Sequence, residues 1–95
     1  MKNATYNTLD VRHKCENKLG IQFRMSGELN GWYYFKGKKV ARITVPSGRK
    51  FIPPKTYKSM ATQLKLQVEE FDDLLDCPLT KQRYDELLEE RVLKS

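Results

Sequence analysis

Histidine occurs once in these 95 residues, cysteine twice and tryptophan once. A single His13 with widely separated Cys15 and Cys77 has no metal-ligand spacing, so no metal site is expected. The same scarcity leaves no Ser-His-Asp set, and neither a Walker loop nor paired dinucleotide glycines occur. The sequence therefore assigns no catalytic residue and no cofactor. No apolar run approaches the ~20 residues that span a bilayer. The opening Met1-Lys2-Asn3-Ala4-Thr5-Tyr6 has no apolar core of the signal-peptide kind. The expectation is a cytoplasmic protein with no membrane partner, in which both cysteines are small buried apolar residues. A disulfide between them stays open at this stage.

Acidic side chains are scarce over the first two-thirds of the chain. Residues 1–65 hold 14 Lys/Arg against 3 Asp/Glu, and residues 66–95 hold 4 against 9, giving the net charge of +6. A cationic body followed by an acidic segment attracts phosphate-bearing ligands to the body. RNA is the first such partner, and DNA would answer to the same charge. With 39% hydrophobic and 32% charged residues, the composition is that of one small folded domain rather than a disordered chain.

The periodicities give the order of elements. Asn7 is placed to cap a helix, with Asp10 three residues on, and Val11, Cys15 and Leu19 share one face before Gly20 ends it. His13 lies on another side of that helix and reads as an ordinary surface histidine. Ile21-Gln22-Phe23-Arg24-Met25 alternates as a strand, with Ile21, Phe23 and Met25 expected inward. Residues 26–31 read as a turn or short loop. Trp32-Tyr33-Tyr34-Phe35 forms a second strand, Lys36-Gly37-Lys38 a tight hairpin turn, and residues 39–45 a third strand. In that third strand Ala41, Ile43 and Val45 share the inner face, and Val40, Arg42 and Thr44 the outer one.

Pro46 stops the strand, residues 47–52 form a basic loop, and Pro53-Pro54 opens a helix. In that helix Tyr57, Met60, Ala61 and Leu64 recur at core spacing, while Lys55, Lys58, Thr62 and Lys65 form a second stripe. A short helix over residues 67–76 buries Val68, Phe71 and Leu75. Pro78 breaks it, and Thr80 caps a last helix with Tyr84, Leu87 and Leu88 apolar. The result is an α+β domain: a helix, a three-stranded antiparallel sheet and a closing helix, with additional C-terminal helices. The core spans about residues 7–76 and a helical extension about 77–95.

Lys18-Leu19-Gly20, Ile43-Thr44-Val45-Pro46, Ile52-Pro53-Pro54-Lys55-Thr56-Tyr57 and Glu69-Glu70-Phe71-Asp72-Asp73-Leu74-Leu75 follow one another in a distinctive order and spacing. Together they resemble the HicA toxin family of bacterial and archaeal toxin–antitoxin systems. The resemblance implies a fold like the double-stranded-RNA-binding domain, binding of mRNA, its cleavage, and silencing by an antitoxin-like acidic protein. It departs at one position. Where the family carries its active histidine, this chain has Trp32, which cannot carry a proton at neutral pH.

Two sets of residues are candidates for nucleic-acid binding. Arg24, Trp32, Tyr34 and Arg42 are expected on the outer face of the sheet, where exposed rings beside arginines suit bases and phosphates. Lys36, Lys38 and Lys39 in the turn, Arg49 and Lys50 in the loop, and Lys55 and Lys58 at the helix start are expected to converge in one basic patch. The leading expectation is thus a small RNA-binding protein. The alternatives are an active HicA-like mRNA interferase with relocated chemistry, and a protein-interaction module.

Overall fold

The computed structural model describes residues 1–76 and 78–93; the reading of Cys77 as a packing residue lies outside them. The elements run α1 (Thr8–Leu19), β1 (Gln22–Ser26), β2 (Glu28–Phe35), β3 (Lys38–Val45), α2 (Pro54–Gln63), α3 (Val68–Asp76) and α4 (Lys81–Leu88). A wider helical turn, Glu89–Leu93, follows α4. The strands form one antiparallel sheet in the order β1-β2-β3. The architecture is α+β, a helix, the sheet and then further helices.

Local chemistry sets the boundaries. Asn7 and Asp10 form a reciprocal capping box: the Asp10 amide donates to Asn7 Oδ1 at 2.9 Å, and the Asn7 amide to Asp10 Oδ2 at 3.0 Å. Two orphan amides of α1 are thereby satisfied. Gly20 ends α1 in the left-handed region, φ +69. Pro54 opens α2 at a position that needs no amide hydrogen. The Thr80 hydroxyl accepts from the Arg83 amide at 3.1 Å and starts α4.

All helices lie against one face of the sheet. Ile21, Leu29, Tyr33, Ala41, Ile43 and Val45 point into the core, where they meet Val11, Cys15 and Leu19 of α1, Tyr57, Met60 and Ala61 of α2, and Phe71, Leu74 and Leu75 of α3. The extension closes the same side. Tyr84 of α4 packs edge-on against Tyr33, ring centroids 4.9 Å apart, and its hydroxyl donates to the Leu64 carbonyl at 2.9 Å. The Tyr33 hydroxyl donates to Asp85, and that of Tyr57 donates to Asp72. Burial followed by these carboxylates pushes both phenol pKa values up.

Three expectations for the sheet need correction. The segment 26–31 is not a loop. The chain reverses at Gly27, φ +80, and β2 already begins at Glu28, so Leu29 joins the core. Met25 leaves β1 on the inner side, opposite Leu29, but is 62% exposed rather than packed. Burial falls from Ile21, just before β1, through half-buried Phe23 to Met25, on the edge strand of the sheet. Val40 is buried with Ala41 rather than outward. Tyr33 pairs with Ala41 but Tyr34 pairs with Lys39, so Val40 is the extra residue of a β-bulge. In α3, Val68 is half-buried, and Leu74 takes a core position beside Phe71 and Leu75.

Candidate nucleic-acid interface

The outer face of the sheet is laid out in cross-strand rows. Gln22, Trp32 and Arg42 are successive Cα partners across β1, β2 and β3, and Arg24, Asn30 and Thr44 form the neighbouring row. The Thr44 hydroxyl donates to Asn30 Oδ1 at 2.8 Å, which ties β3 to β2 on this side. At the outer edge of β3, the Thr44 amide donates to Gln63 Oε1 at 3.0 Å, so α2 closes that edge.

The bulge decides what lies beside Trp32. It slips the alternation of β3 by one residue and brings Lys39 opposite Tyr34 on the outer face. The Lys39 ammonium stands 5.1 Å from the centroid of the Trp32 ring, within cation–π range. Trp32 is half-buried and Tyr34 is 56% exposed. Gly20, Gln22, Arg24, Trp32, Tyr34 and Lys39 line a hollow of 460 Å³. Arg24, Trp32, Tyr34 and Arg42 therefore share the surface on which the sequence places them. Gln22 stands outward as the alternation of β1 has it, though the sequence does not single it out for binding; the outward position of Lys39 goes unseen, because strict alternation through the bulge assigns Val40 to this face.

The remaining candidate lysines and arginines do not join that surface in one patch. Lys36 and Lys38 stand at the β2–β3 hairpin tip, with the Lys36 ammonium 5.3 Å from the Phe35 ring centroid. The tip turns through Lys36 at φ 54 and Gly37 at φ 77. Arg49, Lys50 and Lys55 follow the far end of β3, and the 8 residues of that strand separate the two ends by roughly 24 Å at about 3.4 Å per residue. The Arg49–Lys50 loop is pinned to the start of α1: the Thr8 hydroxyl donates to the Gly48 carbonyl at 2.6 Å and accepts from the Lys50 amide at 2.9 Å. Lys55 shares a shallower groove of 380 Å³ with Glu28, Thr44 and Gln63. Lys58 is exposed one turn further along α2.

No protein-family model, no curated protein and no solved structure matches this chain.

Glu70, Asp72, Asp76, Asp85 and Glu86 of the acidic segment are engaged elsewhere. Asp76 accepts from the Tyr6 hydroxyl and pairs with Lys2 at 3.4 Å. The Tyr6 hydrogen bond comes first among the causes that hold the Asp76 carboxyl below its usual range. Glu70 is bound through both oxygens by Arg91, at 2.7 and 2.6 Å, and this bidentate contact lowers its pKa. Asp85 and Glu86 pair with Lys81 and Arg83 within α4. The hydroxyl of Tyr33 is the first cause raising the Lys81 pKa. Among the described residues, no ion pair involves Arg24, Lys36, Lys38, Lys39, Arg42, Arg49, Lys50, Lys55 or Lys58.

The single histidine stands apart from the outer face. His13 is exposed on α1, which packs on the opposite side of the sheet. Cys15 is fully buried, and desolvation pushes its thiol up to about 12, so no thiolate forms there near neutrality. Among the described residues, no group of His, Cys, Asp and Glu is arranged to hold a metal ion, and no helix is long and apolar enough to cross a membrane.

Proposed function

We propose that this chain is an RNA-binding module of HicA-like architecture, holding RNA on the outer face of its sheet. One observation carries the reading. Trp32 and Tyr34 lie on a face that no helix among the described residues covers, flanked by Arg24, Lys39 and Arg42, which no carboxylate among the described residues pairs with. Aromatic rings interleaved with cations match the two surfaces of a nucleic acid, stacked bases and backbone phosphates.

Lys36 and Lys38 extend the cationic field past the hairpin end. Arg49, Lys50, Lys55 and Lys58 supply a second positive region near the start of α2, suited to longer RNA that wraps the β3 edge. RNA cleavage forms no part of the proposal. Trp32 offers no proton, and His13 is on the wrong side of the sheet to reach a chain bound at Trp32.

Filter binding at about 50 mM and about 200 mM salt tests the reading, because each neutralised phosphate releases counterions. A steep loss of affinity is expected, with the slope reduced by about one for Arg24→Ala and again for Arg42→Ala. A salt-independent response, or no binding to RNA, overturns it. A parallel arm with DNA of the same sequence reads how far the 2′-hydroxyl contributes.

A further inference from the structure

The hollow on the outer face has a shape and a wall chemistry of its own. Trp32 and Tyr34 are two residues apart on β2, so they leave the strand on the same side about 6.8 Å apart. Bases stack at roughly 3.4 Å intervals, so the spacing of the two positions along the strand equals two stacking intervals, the separation that one planar base held between two rings would need. The volume of 460 Å³ is within the about 300–1,000 Å³ typical of small-ligand sites. The walls are equally selective. Gln22 presents an amide that both donates and accepts, as the edge of a base requires. Arg24 on β1 and Lys39 on β3 flank the hollow from opposite sides, where the phosphates before and after an inserted base would run.

We infer that this hollow takes one unpaired nucleotide of a single-stranded RNA, its base between Trp32 and Tyr34, its edge against Gln22 and its phosphates on Arg24 and Lys39. The inference rests on the RNA-binding reading and narrows it. A base inside a duplex is stacked and paired, and its faces are closed to both rings. A duplex would meet only the cations and would leave the rings unused.

Trp32 is the one tryptophan of the chain, so its fluorescence reports on the hollow without labelling. The experiment titrates the full chain with a ten-nucleotide single-stranded RNA and with a duplex of the same length, following tryptophan emission together with the anisotropy of end-labelled RNA. The single strand is expected to quench Trp32 and to bind at least tenfold more tightly than the duplex. Tyr34→Ala is expected to weaken single-strand binding about tenfold or more, and Tyr34→Phe to restore it. The exposure of Tyr34 makes both variants compatible with the fold, which circular dichroism checks.

Equal affinity for the two RNAs, or unchanged single-strand affinity in Tyr34→Ala, overturns the inference. Duplex binding with unmoved tryptophan emission overturns it while leaving the broader RNA reading intact. Failure of both RNAs to bind overturns the two together.

Discussion

The ammonium of Lys39 stands over the ring of Trp32 at 5.1 Å because one extra residue, Val40, is inserted in β3. Without that insertion Val40 would continue the outward row of Arg42 and Thr44, and Lys39 would turn toward the helices. The bulge thus converts an apolar position beside the tryptophan into a cationic one.

Lys39→Ala is expected to weaken RNA binding and to shift the emission of Trp32 in the free protein, since the charge leaves the indole face. The effect on stability should stay within about 1 kcal/mol, the scale of an exposed cation–π contact. Urea denaturation and RNA titration of the same variant check both parts. A loss of several kcal/mol would mean that Lys39 holds the fold rather than the ligand.

Gly31 leaves no room for a side chain of its own. A Cβ built there would lie 2.4 Å from Ile21 Cγ2, just before β1, and 2.8 Å from the ring of Phe23 on the facing strand β1. Gly31→Ala is therefore expected to destabilise the protein by about 1–3 kcal/mol through overpacking. The midpoint of chemical denaturation measures it. An unchanged midpoint would show that β1 yields to the extra methyl at little cost.

The glycine also shows where the sequence misleads. Asn30-Gly31 beside Ser26-Gly27 has the composition of a loop, yet only Gly27 adopts a positive φ in this stretch. Gly31 is glycine because the side chains of Ile21 and Phe23 fill the place of its own, a relation across the sheet that local pattern does not carry. Met25 fails for a related reason. Alternation says which side of the strand it leaves, but the reach of the helices decides whether anything packs there. By contrast, the Asn7–Asp10 box, the stops at Gly20 and Pro46, the Pro54 start and the Thr80 cap are local chemistry, and each was legible. The outer face was legible for Arg24, Trp32, Tyr34 and Arg42, which follow simple alternation. It was not for Lys39, which depends on the bulge. The expected convergence of turn, loop and helix-start cations ignored the length of β3, which holds them apart.

The hairpin tip offers a stabilising change. Lys36 is held at φ 54, ahead of Gly37 at φ 77, a pair of left-handed conformations that Asn-Gly adopts most readily. Lys36→Asn is expected to raise stability by about 0.5–1 kcal/mol by relieving part of the left-handed cost. Thermal unfolding reads the change. A lower melting temperature would indicate that the Lys36 contact with Phe35 outweighs the turn strain.

Acid sensitivity should trace to the contacts that fasten the C-terminal helices. Glu70 and Asp76 are both held below their ordinary carboxylate values, chiefly by Arg91 and by Tyr6. A lowered folded-state pKa means stability fully present above the unfolded-state value, near 4, and lost as pH falls through the folded-state values. Denaturation midpoints are expected to be flat near neutrality and to drop below about pH 4. Glu70→Gln should be less stable at neutral pH and show a shallower acid limb. An acid limb identical to that of the parent would remove Glu70–Arg91 from this role.

The most direct measurement of where RNA sits is the perturbation of backbone amide resonances on titrating the isotopically labelled chain with single-stranded RNA. The largest shifts are expected at Gln22, Arg24, Trp32, Tyr34, Lys39 and Arg42, on the outer sheet face. Shifts confined to α1 and to residues 49–58, with the Trp32 indole resonance unmoved, would contradict it.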